Sequence, residues 1–373
     1  MRRFLFLMMA IVLPLYSYAM PTTQIRNDKK AMRFIEEGLT ATYNFEFKKA
    51  EAYADSLETY LQQDPTIYLL KARILFWQQK FEHKNEKMEQ AYTANLDKGI
   101  ALTAERLKAA PDDAELKFVA LTFNAMYAEY WFDEGSSMKA ISYGKVLYSY
   151  VKEGFNLIDQ FPDFYFTTGL YNYYRIKFPQ NNPVYRPFMF FFKSGDLELG
   201  LHQMEIATEK GIFTDVESRQ YLYHLLMHYG AKPQQAFKHS EYLHKHYPNN
   251  PYFTCMYLEN LAYLQRVNSE EVALALDLSK RSNPMFSAPG NLLMGRFLAL
   301  DQPTDPQVKE YLLKAEKAFQ QQEHPSDHGL CVTYINLAKY CDATNDQTGK
   351  ATYKKLAQKH NKYDVDKQQI GAL

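Results

Sequence analysis

Cysteine is scarce: Cys255, Cys331 and Cys341 are the three in 373 residues, with no C-x-x-C and no metal-type spacing. A thiolate zinc knuckle and a dense disulfide framework are therefore excluded. Cys331 and Cys341 bracket one predicted helix, where ten residues at ~1.5 Å each hold them about 15 Å apart. That exceeds the ~7 Å reach of a disulfide, and all three read as small buried hydrophobes. Net charge is also missing, with 43 basic against 43 acidic side chains. Interspersed signs give no electrostatic footprint for nucleic acid or an anionic membrane. Enzyme signatures are lacking as well: no G-x-S-x-G, no Walker-type glycine loop and no G-x-G-x-x-G occurs. Runs of strict apolar alternation, which strands require, are absent.

Proline punctuation is what the sequence does have. Breaks recur at Asp64-Pro65, Pro111-Asp112-Asp113, Pro162-Asp163, Pro248-Asn249-Asn250 and Asn283-Pro284. The prolines are 46, 51, 86 and 36 residues apart, and 86 is close to two units of 43. A unit of that length holds two helices and a turn, which predicts an α-solenoid. Between the breaks, apolar residues step by three and four. Phe47, Ala50, Ala54, Leu57 and Leu61 do so, as do Ile67, Leu70, Ile74, Trp77 and Phe81. Leu197, Leu201, Met204 and Ala207 repeat the pattern, and so do Val308, Leu312, Ala315 and Phe319. Each set lies on one stripe of a helix. Asp112, Asp163 and Asp196 are expected to cap the helices that follow them, and Gly211 to end one in a left-handed conformation. About seventeen helices result, each pair leaning on its immediate neighbours, with a frayed polar tail from Asn361.

Phe34, Gly38, Ala50, Ala54 and Leu57 sit at the bulky and small places of a 34-residue helix-turn-helix unit, whose proline falls three residues late, at Pro65. Ala236, Ser240, Leu243 and Pro248 repeat its second half, and Leu337-Ala338 with Ala351 match it more weakly. In these residues the chain resembles the tetratricopeptide-repeat superfamily. The resemblance covers about a third of the chain; Gly144 and Gly154 within one helix, and His224 at a normally small place, depart from it. It implies an all-α, right-handed α-solenoid of antiparallel helix pairs with binding or assembly roles.

The N-terminus carries an address. Arg2 and Arg3, the apolar run from Phe4 to Leu13, and Ser17-Tyr18-Ala19 read as a cleavable export signal over residues 1–19. The run is too short to span a bilayer, and no cysteine follows for a lipid anchor. Cleavage leaves 41 basic and 43 acidic side chains in a periplasmic chain. We divide it into helix pairs over 20–160, a divergent aromatic-rich segment over 161–212, further helix pairs over 213–360, and the tail over 361–373.

Thirty tyrosines and twenty-five phenylalanines make the aromatic content 15%. In a helix starting near Phe164, Tyr171, Tyr174 and Arg175 share a face at i, i+3 and i+4. With Tyr185 they form the candidate partner-binding set, offering flat apolar area with polar tips. The bland alternative is that such rings fill gaps between helix pairs. Inter-helix packing is likewise the expectation for the run Phe188 to Phe192. His224 and His228, spaced i, i+4, could seat a metal ion. They read His-Leu-Leu-Met-His, so the glutamate of a metalloprotease helix is missing. The expectation is a non-catalytic scaffold, needing no cofactor, that recognises a protein or peptide on its concave face and has openings to envelope complexes. A glycan-binding part of an outer-membrane uptake system is the alternative, followed by a metal-dependent hydrolase centred on the two histidines.

Overall fold

A computed structural model describes residues 24–81, 85–181 and 183–373. The segment over residues 1–19 read as an export signal lies outside the described residues. Among those described there are seventeen α-helices and no strand. They alternate between two roles. The first series is α1 (Lys29–Tyr43), α3 (Pro65–Phe81), α5 (Ala114–Asp133), α7 (Phe164–Asn181), α9 (Asp215–His224), α11 (Pro251–Leu264), α13 (Pro284–Asp301) and α15 (Asp327–Ala343). The second is α2 (Phe47–Leu61), α4 (Glu86–Ala109), α6 (Ser137–Gly154), α8 (Leu197–Lys210), α10 (Pro233–His246), α12 (Ser269–Ser279), α14 (Pro306–Gln320) and α16 (Gln347–His360). Each odd helix packs against the even helix after it, giving eight pairs, and α17 (Asp364–Gly371) closes the array. The fold is an all-α, solenoid-like helical array.

The punctuation falls where the physics puts it. All five proline breaks stand at the start of an odd helix: α3, α5, α7, α11 and α13. Asn250 accepts from Tyr252 N and Phe253 N at 3.0 and 3.2 Å, and Asn283 accepts from Met285 N at 2.9 Å. The proline that follows has no N–H to leave unsatisfied. The even helices bury one stripe. In α2 that stripe is Phe47, Ala50, Ala54 and Leu57, and in α14 it is Val308, Leu312, Ala315 and Phe319, both as predicted. The odd helices are buried on more than one side. Leu116, Phe118, Val119, Leu121, Phe123 and Met126 of α5 are all in the core. Such a helix has even helices behind it and the interior of the array in front.

Five sequence expectations need correction. The pairs do not lean on immediate neighbours alone. Phe81 in α3 stacks on Phe286 of α13 at 5.8 Å, and Trp77 meets Phe253 of α11 at 5.6 Å. Asn283 Nδ2 donates to Phe81 O (2.9 Å) and Asn250 Nδ2 to Tyr43 O (2.7 Å), so early pairs dock on late ones. Asp113, not Asp112, caps α5 through Leu116 N at 3.0 Å. Asp163 does not serve its own helix: its carboxylate accepts from Ile212 N, Phe213 N and Thr214 Oγ1 in the loop after α8. Gly211 follows α8 in extended backbone (φ −73°, ψ 141°). It is needed because a Cβ there would lie 2.6 Å from Thr214 Oγ1. The tail is not frayed, since α17 buries Val365, Asp366 and Ile370. Asp196 caps α8 as expected, and the three cysteines are free. No helix among the described residues is long and apolar enough to cross a membrane.

Candidate functional site in the interior of the array

The inner faces of the odd helices enclose two adjoining cavities. The first, of about 480 Å³, is walled mainly by α3, α5, α7 and α9. The second, of about 540 Å³, is walled by α9, α11, α13 and α15. They share Lys80, Tyr174, Gln220, Tyr221 and Tyr252, so the two cavities adjoin across these side chains. The walls of the first are mostly apolar, from Phe76, Leu121, Met126, Leu147 and Leu170, with a polar belt of Arg73, Lys80, Glu129, Glu217 and Gln220. Arg73 is ion-paired with Glu217, which also accepts from Tyr43 Oη at 2.7 Å. Burial raises the carboxyl of Glu129, against the opposing pull of Lys80 and Arg73.

The predicted aromatic set divides. Tyr171 and Tyr174 both line the first cavity. Tyr171 donates to Lys193 O at 2.6 Å and stacks on Tyr148, so it is also an inter-helix spacer. Tyr174 reaches both cavities and meets Tyr229 edge-on at 6.4 Å. Arg175 is not among the lining residues; its stem lies against Gly195. The side chain of Tyr185 lies outside the described residues. In the run Phe188 to Phe192, Phe192 packs on Tyr148, but Phe190 is 88% exposed.

The second cavity holds a cluster that spacing alone did not reveal. Helix α9 passes at His224 into a π-turn, Leu225–Tyr229, a widened turn often found at functional sites. It places His224 Nδ1 2.8 Å from His228 Nδ1. On its other side His228 Nε2 lies 3.4 Å from Glu259 Oε1 in α11. His328, in the first turn of α15, sets Nε2 3.0 Å from the same oxygen and Nδ1 3.0 Å from Asp366 Oδ1 of α17. Tyr223 donates to Glu259 Oε2 at 2.7 Å, and the Tyr363 ring stacks on His228 at 5.1 Å. One donor atom each from His228, Glu259 and His328 lies within 4.8 Å of the others.

Charge in this cluster is set by burial and by partners. Burial, with His228 and His328 adding to it, lowers His224 to about 3, so its ring is neutral. Burial lowers His228 too, although Glu259 pulls the other way. His328 is also penalised by burial, yet Asp366 and Glu259 outweigh it and lift the imidazole to about 9. Glu259, despite burial, is held well below the usual carboxylate range by His228 and His328. One imidazolium thus stands between two carboxylates. Glu259, His328 and Asp366 were missed because 31 to 138 residues separate them from His228, and only the packing of α9, α11, α15 and α17 unites them.

Compared with known protein families, curated proteins and solved structures, the chain matches none. What it does must be argued from these cavities themselves.

Proposed function

We propose that this is a periplasmic, tetratricopeptide-like binding protein that holds an extended segment of a partner protein in the interior of its helical array, without turning it over. The observation that carries this reading is the succession of two adjoining cavities along the inner faces of α3 to α15. Each has a volume in the ~300–1,000 Å³ range of ligand pockets. A peptide presents apolar side chains together with alternating N–H and C=O groups. Apolar walls crossed by donors (Arg73, Lys80, Gln220) and acceptors (Glu129, Glu217) suit that mixture. Tyr171 and Tyr174 supply rigid ring surface at little cost in rotamer entropy. Arg175 acts behind the wall.

Gly144 of α6 lines the first cavity, and a Cβ there meets nothing within 4 Å. Gly144→Phe therefore starts from open space at Cβ and is expected to narrow the cavity. Peptides selected from a random displayed library on the purified protein should bind Gly144→Phe at least tenfold more weakly. The two proteins should melt alike by circular dichroism. A library that yields no binder, or binders indifferent to the substitution, sinks the reading.

A further inference from the structure

We propose that His228, Glu259 and His328 form a binding site for a zinc-class divalent metal ion, with its fourth place open to the second cavity. This goes beyond the binding function above and does not rest on it.

The donor set is the first argument. Two imidazole nitrogens and one carboxylate oxygen suit zinc, whereas magnesium and calcium take oxygen ligands. Geometry is the second. Ligands ~2.0–2.1 Å from a tetrahedral ion stand about 3.3 Å from one another. Two edges of the triangle are 3.4 Å (His228 Nε2 to Glu259 Oε1) and 3.0 Å (His328 Nε2 to Glu259 Oε1), and the three atoms stay within 4.8 Å. The third argument is the support behind the ligands. Asp366, fully buried, faces the Nδ1 of His328 and Tyr223 holds the second oxygen of Glu259. A carboxylate behind a histidine ligand fixes its tautomer and raises its basicity. His224 Nδ1, 2.8 Å from His228 Nδ1, can accept a hydrogen bond from that atom and leave Nε2 free for the ion. The fourth argument is the acidic surroundings: Glu259 and Asp366 each lie 3.0 Å from a ring nitrogen of His328, and a cation suits such a pair. Finally, His224, His228, Glu259 and His328 all line the second cavity, which leaves one coordination place accessible to water or to a donor from the cavity's occupant.

The test uses the full mature chain, stripped with a chelator and titrated with Zn²⁺ alone, then with Co²⁺ as a spectroscopic substitute. The expected result is one saturable zinc per chain. Co²⁺ should give the intense visible absorption of a four-coordinate site. Glu259→Gln and His328→Gln should each weaken zinc binding at least a hundredfold, and Asp366→Asn by about 10- to 100-fold. Replacing the exposed His246 with alanine should change nothing. Zinc should raise the melting temperature of the parent and leave that of Glu259→Gln unmoved, a comparison that stands even if His328→Gln fails to fold. The Gly144→Phe protein should keep its zinc, which separates this site from the peptide-binding reading. Less than stoichiometric uptake, or equal uptake by the parent and Glu259→Gln, overturns the proposal and means that protons alone hold the cluster.

Discussion

Glu115, in the first turn of α5, shows how one buried side chain ties stability to pH. It is 6% exposed and accepts from Ile25 N at 2.9 Å. Burial lifts its carboxyl to about 7 from 4.5, with the Ile25 and Arg26 amides pulling down and Asp113 and Asp64 pushing up. The folded state therefore holds a proton that the unfolded chain releases at lower pH. The resulting stability is full below about pH 4.5 and is lost as the pH rises through about 7. A shift of this size corresponds to at most ~3 kcal/mol. Glu115→Gln keeps the acceptor for Ile25 and removes the titration. Its melting temperature should match the parent's in mild acid and exceed it at alkaline pH. A parent whose stability is flat across that window would refute the assignment. The same scale explains why the histidine cluster was only half legible. His224 and His228 announce themselves by their spacing. Glu259 and His328 lie on separate helices, α11 and α15, and acquire meaning from what faces them.

At the scale of the element, helix positions could be read closely because their causes are local. Asp or Asn before proline starts α3, α11, α13 and α14, and a three-four step of apolar residues marks the buried stripes of α2 and α14. What escaped were features that depend on a second helix. Gly169 of α7 and Gly200 of α8 are such a pair. A Cβ on Gly200 would stand 2.7 Å from Gly169 O and 2.8 Å from Tyr173 N. Backbone cannot yield as a side-chain tip can. Gly200→Ala should therefore cost about 1–3 kcal/mol through separation of the two helices, despite the ~1 kcal/mol by which alanine favours an isolated helix. Gly144→Ala has open space and should stabilise by ~0.5–1 kcal/mol. The two substitutions are chemically identical and should move the urea midpoint in opposite directions. A shift of the same sign in both would show that propensity, not helix contact, governs α7 and α8.

The whole molecule departs from an open solenoid where the early pairs dock on the late ones, and no periodicity could have announced this. Repeats that touch only their neighbours unfold by independent, nearest-neighbour terms. Here a long-range seam couples them. Phe81 lies within 5.1–5.8 Å of the rings of Phe45, Trp77, Tyr252 and Phe286, and its carbonyl receives the Asn283 amide. Two of those rings belong to α11 and α13, so Phe81 joins helices some 170 to 200 residues apart in sequence. The seam also carries Lys80 and Tyr252, which line both cavities. Closing the array and shaping its interior are therefore one structural event. Phe81→Ala removes the ring at the centre of the seam and should cost about 3–5 kcal/mol. That loss should fall on the coupling between early and late pairs, because two of the rings that Phe81 meets, Tyr252 and Phe286, belong to α11 and α13. The variant should show a larger radius of gyration by small-angle scattering, and its thermal transition should broaden or divide. Peptide capture should weaken with it. A variant that merely melts at lower temperature, with unchanged scattering and one sharp transition, would mean that the array closes through other contacts and that the aromatic seam only fills space.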